Sequence, residues 1–232
     1  MLPVLSALTD LLYPPSCWAC GSSLERQAQA LCGACALVPL GEACRRCGEP
    51  QGPGASTMED CDTCRGRPLA FSRVAALGRY EGGLRRAVQR AKFEGELGAW
   101  AWMGKALADH VAALPWAGEV DAVVPVPSTW RARLARGANP AALLAGAVSR
   151  RLERPRRPWL LRRPTPPQVG LGRRERLANV EGAFRISPEA TPSGLRLLLV
   201  DDVMTTGATV DVCARALKAA GALRVDVAVA AR

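Results

Sequence analysis

The stretch Leu197-Leu198-Leu199-Val200-Asp201-Asp202-Val203-Met204-Thr205-Thr206-Gly207-Ala208-Thr209 decides how the rest of the chain is read. Four consecutive aliphatics have the length of a strand buried on both faces, and two adjacent carboxylates then end the run. The acids are expected at the carboxyl end of a parallel strand. A turn of two threonines and a glycine follows, and Ala208 to Ala220 reads as a helix stopped by Gly221. This order aims backbone N–H groups and the positive end of a helix at an anion. Thr205, Thr206 and Thr209 add hydroxyl donors, while Gly207 admits close approach. Carboxylates beside such a cradle repel an anion unless they meet hydroxyls or a cation. The 2′ and 3′ hydroxyls of a ribose are suitable donors, and Mg²⁺ would offset the charge. A ribose 5-phosphate satisfies both halves.

Residues 200–209 resemble the phosphoribosyl pyrophosphate (PRPP) motif of type I phosphoribosyltransferases: hydrophobics, two acids, then a small threonine and glycine loop. The resemblance implies that Asp201 and Asp202 bind the ribose hydroxyls. It also implies that Thr205, Thr206, Gly207, Ala208 and Thr209 form the loop holding the 5-phosphate.

With 232 residues, the chain has room for one ordinary domain and a smaller one. A hydrophobic share of 49% with 22% charged residues marks a globular protein rather than a disordered one. The most apolar long run, Ala99 to Ala117, is broken by Lys105, Asp109 and His110, so no membrane span is expected. The first residues, Met1 to Leu8, show neither a basic leader nor a cleavage site. A cytoplasmic protein is expected, with thiols that bind metal rather than pair. The net charge of +10 is uneven, since residues 69–232 carry all the excess of Lys and Arg and residues 1–68 are slightly acidic. His110 is the only histidine, which leaves a Ser-His-Asp triad without support.

Residues 3–12 place Val4, Leu5, Leu8, Leu11 and Leu12 on one helical face. Four C-x-x-C pairs follow: Cys17 and Cys20, Cys32 and Cys35, Cys44 and Cys47, Cys61 and Cys64. Each pair can offer two thiolates to one tetrahedral metal, and two pairs complete a closed shell. Large apolar side chains are too few here to build a core, so structural Zn²⁺ is expected to replace it. The expected sets are Cys17, Cys20, Cys32 and Cys35 for one Zn²⁺, and Cys44, Cys47, Cys61 and Cys64 for the other. Pairing first with third and second with fourth remains open on spacing alone. Gly52 to Ser56 reads as a loop, and Arg65 to Pro68 marks the boundary between units 1–68 and 69–232.

Downstream, Phe71 to Tyr80 suggests a strand, and Gly82-Gly83 opens a helix with Arg85, Arg86, Arg90 and Lys92. A second helix, about 96–114, carries Trp100 and Trp102 as packing residues. Val120 to Pro127 is a strand leading into Arg131, Arg133 and Arg136, with a helix over 140–153. A strand over 159–162 leads into a proline- and glycine-rich flap containing Arg173 and Arg176. Both arginine-rich loops are expected to follow strands of one parallel sheet and to gather near the first anion loop. The expected fold class is α/β, and the resemblance implies a type I phosphoribosyltransferase-like domain with a mostly parallel sheet and helices on both faces, preceded by a zinc-ribbon domain.

Val124-Pro125-Val126-Pro127, Arg131 to Asn139, Gln168 to Asn179 and the acidic motif occur in this order in the ComF family, and with the cysteine ribbon the resemblance covers almost the whole chain. The family usually has Phe and Gln where Ala138 and Pro140 stand here. The resemblance implies a role in natural competence, with single-stranded DNA and the DNA-uptake machinery at the inner face of the membrane as partners. Trp130 and Trp159, beside the arginine loops, would offer stacking platforms. If the chain is a phosphoribosyltransferase, the resemblance implies cleavage of the anomeric C–O bond of PRPP. Arg131, Arg133, Arg136, Arg173 and Arg176 would then stabilise departing pyrophosphate alongside Mg²⁺. PRPP as a regulatory signal is the remaining expectation.

Overall fold

A computed structural model describes residues 15–24, 30–52, 60–129, 137–163 and 182–232. Its centre is a four-stranded parallel sheet built from β1 (Val74–Gly78), β2 (Ala122–Pro125), β5 (Arg196–Val203) and β6 (Arg224–Ala231), in the order β1-β6-β5-β2. Strand β5 is buried on both faces as expected, because Leu197 and Leu199 face one side and Leu198 and Val200 the other. Each of these side chains contributes about 1.5–3 kcal/mol through burial.

Helices α1 (Gly82–Phe93), α2 (Leu97–Ala112) and α3 (Pro140–Leu152) cover one face through Leu84, Val88, Trp100, Met103, Leu107 and Leu144. Helix α4 (Ala208–Ala219) covers the other through Val210, Cys213, Ala214 and Leu217. Trp100 is buried among these residues, as the packing reading expects. The β6 run, Arg224 to Ala231, alternates valine and alanine so that a narrow central strand can be sandwiched by both layers.

Two expectations are corrected. The strand expected over 159–162 is not part of the parallel sheet: β3 (Leu160–Arg162) pairs antiparallel with β4 (Phe184–Ile186) in a separate two-stranded sheet. No crossover helix is needed for an antiparallel partner, and burying Trp159, Leu160, Ala183 and Phe184 in the α4-side core holds the hairpin there. A single parallel bridge from Arg156 to Val123 of β2 precedes β3, and the second arginine-rich loop leaves from the antiparallel pair instead of from a strand of the parallel sheet. Trp159 is 8% exposed and so cannot stack a base. Trp130, the helix expected over 3–12, most of the loop expected over 52–56 and residues 164–181 of the flap lie outside the described residues.

The amino ends of the strands are tied by ions. Arg73 and Arg224 both reach Glu119 and the buried Asp226, at 3.2 and 3.0 Å from the latter, and Arg196 pairs with Asp121 at 3.3 Å. With that end closed, the carboxyl ends remain for the site.

Candidate functional site

The acids lie within the end of β5 rather than just after it, because β5 keeps its parallel register with β6 through Val203. The Asp202 amide donates to Asp201 Oδ1 at 2.9 Å, and the Val203 amide to Asp202 Oδ1 at 2.8 Å. Burial, and then the adjacent Asp202 charge, push the Asp201 carboxyl well above the ordinary carboxylate range. Gly207 caps α4 at φ 77°, a left-handed conformation that disfavours any side chain. It turns the chain so that α4 starts beside the acids. Thr205 and Thr206 are exposed, and the Ala208 amide reaches Thr206 Oγ1 at 3.4 Å. The first-turn amides of α4 have no intrahelical acceptors and can serve an anion.

A cavity of about 220 Å³ opens here, lined by Asp201, Asp202, Val203 and Thr209 together with Lys92, Ser128, Asn139 and Arg162. Ser128 Oγ is buried and has no hydrogen-bond partner among the described residues. Asn139, at the start of α3, donates through Nδ2 to the Val126 carbonyl at 3.1 Å and so holds the turn after β2 against the pocket. Arg162 lies over the Phe184 ring at 5.3 Å, which fixes it at the rim.

Lys92 was legible only as one more charge on a basic helix. Its Nζ stands 2.7 Å from Asp202 Oδ2, with 17% and 16% of the two side chains exposed. Helix α1 begins beside the end of β1 and finishes beside the end of β5, so it crosses the carboxyl edge instead of returning along the sheet. The Gly95 stop soon after Lys92 is the one local signal for where that crossing ends. Arg131, Arg133, Arg136, Arg173 and Arg176 lie outside the described residues.

The cysteines gather as two sets, Cys17, Cys20, Cys32 and Cys35, and Cys44, Cys47, Cys61 and Cys64, each with its sulfurs within 4.8 Å of one another. The alternative of pairing first with third is closed by this grouping. Cys17 and Cys44 open matching turns, with Gly21 and Gly48 amides donating back to their carbonyls at 2.8 Å. Sulfur separations of 3.7 Å for Cys20 and Cys32, 3.7 Å for Cys44 and Cys64, and 3.5 Å for Cys47 and Cys61 suit a tetrahedron with Zn–S near 2.3 Å, whose edge is about 3.8 Å. Four thiolates close each shell, so the sites fit structural Zn²⁺. Both are tied to the pocket domain. Arg86 Nη2 reaches Cys35 Sγ at 3.1 Å, and Arg232 donates from Nε to the Cys47 carbonyl at 3.0 Å and from its terminal nitrogens to Glu49 and to the Met204 and Thr205 carbonyls.

Residues 8–65 match the double zinc ribbon domain, and residues 138–232 the phosphoribosyl transferase domain. The chain is 30% identical over 235 residues to "DNA utilization protein YhgH" of Salmonella typhi, covering 94% of this chain and 96% of that protein. It is 27% identical over 227 residues to "Competence protein F" of Haemophilus influenzae, covering 91% and 94%. Matching along nearly its whole length, with a paired cysteine ribbon ahead of a parallel sheet that ends in two acids and a threonine loop, this chain belongs to the ComF family, whose relatives are named for competence and DNA utilization.

Proposed function

We propose that this chain binds PRPP or a related phosphoribosyl ligand in the cavity at the carboxyl ends of β2 and β5, as a cytoplasmic protein serving the uptake and processing of single-stranded DNA. In this reading Asp201 and Asp202 accept hydrogen bonds from the ribose hydroxyls. Thr205, Thr206, Gly207, Ala208 and Thr209 take the 5-phosphate. The observation that carries the reading is the juxtaposition of two carboxylates, a helix amino end and the unpartnered Ser128 hydroxyl around one polar cavity. Each supplies what a different part of a sugar phosphate lacks.

Arg131, Arg133, Arg136, Arg173 and Arg176 are proposed to meet the pyrophosphate. Residues 1–68 are proposed as the zinc-ribbon unit, holding two Zn²⁺, and residues 69–232 as the phosphoribosyltransferase-like unit that it braces. Arg150, Arg154, Arg156, Arg157, Arg163 and Arg185 are exposed and form a basic band around α3 and the β3–β4 hairpin, which supports a polyanion as partner. The DNA-uptake machinery at the inner face of the membrane is proposed as a partner from the ComF resemblance, which the relatives' names, for competence and DNA utilization, support. Among the described residues no helix is long and apolar enough to cross a membrane.

Isothermal titration of PRPP into the zinc-loaded chain tests the ligand. Binding is expected for the native sequence and a loss of about 100-fold or more for Asp201→Ala with Asp202→Ala, since each charged hydrogen bond to a buried group contributes roughly 1.5–3 kcal/mol. Equal affinity in the two proteins contradicts the reading. A second reading, an active phosphoribosyltransferase, is favoured by the phosphoribosyl transferase match over residues 138–232. Pyrophosphate release on incubation with PRPP and a panel of bases separates it from binding alone.

A further inference from the structure

We infer that Lys92 is the pocket's resident counter-ion and makes phosphoribosyl-ligand binding independent of a divalent cation. The inference rests on the ligand reading above and names the residue that lets two carboxylates share a site with a phosphorylated sugar.

A lysine in the last turn of a helix ordinarily stays solvated or faces the final carbonyls. Lys92 does neither: its ammonium is 2.7 Å from Asp202 Oδ2, and both side chains are more than four-fifths buried. The same cavity is lined by Arg162, so two cations from α1 and β3 stand against two carboxylates from β5. Fixed cations therefore face the acids before any ion enters.

Mg²⁺ fits this donor set poorly. It takes oxygen ligands in a near-ideal octahedron about 2.0–2.1 Å away. Of the four oxygens on Asp201 and Asp202, Asp201 Oδ1 and Asp202 Oδ1 accept backbone amides and Asp202 Oδ2 holds the ammonium, which leaves Asp201 Oδ2 as a single carboxylate oxygen, too few to anchor a divalent ion. A divalent ion at Asp202 must displace Lys92 or sit against a like charge. Lys92 has three N–H donors, one of which Asp202 occupies, and it lines the cavity. Its remaining donors suit the anionic oxygens of the ligand. Screening of the acids and recognition of the anion then come from one side chain.

The test titrates PRPP and ribose 5-phosphate into the full zinc-loaded chain in buffer freed of divalent ions by resin. Added chelator is avoided because it would also draw on the cysteine sites. The native chain is expected to change affinity by less than about threefold when millimolar Mg²⁺ is added. Lys92→Met is expected to lose about tenfold or more without Mg²⁺, the scale of a lost charged hydrogen bond, and to regain part of it with Mg²⁺. Lys92→Arg is expected to keep Mg²⁺-free binding within about threefold of the native chain, since it keeps the charge. Thermal unfolding of each variant confirms that it is folded. Native binding that needs Mg²⁺ as much as Lys92→Met does, or Lys92→Met binding as tightly as the native chain without Mg²⁺, overturns the inference while leaving the ligand reading intact. Absence of binding by the folded native chain in both buffers overturns the ligand reading and this inference with it.

Discussion

The two cysteine sites share ligands and turn geometry but are built into the molecule differently. The first leaves Cys20 exposed and leans on helix α1 through apolar packing of Ala19, Leu31 and Ala87, with the Trp18 ring lying on Gly98. Gly83 is indispensable there, because a Cβ on it would overlap the Cys35 carbonyl oxygen. The second buries all four cysteines, and Leu69 is its one partly buried apolar neighbour among the described residues. Polar groups bind it instead: Arg46 to Asp60 at 2.6 Å, Arg67 to the Thr206 carbonyl at 3.5 Å, and the four contacts of Arg232. The first site props the helix that carries Lys92 in its last turn, and the second props the 205–209 loop. Equivalent metal shells thus support opposite walls of one pocket.

The largest effect that can break this comparison is loss of the second metal. Cys44→Ser with Cys64→Ser is expected to halve the zinc content and to raise amide exchange through residues 203–209, because a structural Zn²⁺ carries about 10–16 kcal/mol of apparent binding energy. The equivalent change at Cys17 and Cys35 is expected to raise exchange in α1 first. Identical exchange maps for the two variants would contradict the division of labour.

Next in size is Gly83→Ala, expected to destabilise by about 3 kcal/mol, in the range of overpacking a close contact. Chemical denaturation measures it, and a shift within error would show that the ribbon does not rest on α1. Arg232→Ala is expected to cost about 1–3 kcal/mol by leaving the part-buried Cys47 and Met204 carbonyls and Glu49 without their partner. Its distinguishing mark is faster exchange in both 44–49 and 203–209 at unchanged zinc content. Exchange in one segment alone would uncouple the second site from the loop.

The smallest effect has the opposite sign. The folded-state pKa of Asp201 is raised, so its stabilising protonated form is lost as pH rises through that value, and stability falls with rising pH on its account. Asp201→Asn is expected to flatten that fall and to raise Tm at neutral pH by about 2–4 °C, the shift of roughly 1 kcal/mol in a chain of this size. Both cysteine sites should be untouched. A lower Tm would mean that the carboxylate stabilises the empty pocket.

What could be read from the sequence was local. The acids, Gly207 and the two cysteine sets declare themselves within a few residues, since strand burial, a left-handed turn and a C-x-x-C turn are short-range properties. Lys92, Arg162 and Arg232 reach the site through the path of the chain, at separations no periodicity records. An ordinary helix after β1 would carry Lys92 to the other end of the sheet, and only the transverse course of α1 places it beside Asp202. The strand over 159–162 reads as a member of the parallel sheet for a related reason. A three-residue strand does not disclose whether its partner is parallel, and Trp159 looked available because its burial comes from Phe184 and α4.

A crystal of the zinc-loaded chain grown with PRPP tests the central claim most directly. The expected result is the ribose diol on Asp201 and Asp202, with the 5-phosphate within hydrogen-bond reach of the amides at the amino end of α4. Ligand bound instead along the basic band of α3 and the hairpin, with the 205–209 loop vacant, would contradict it.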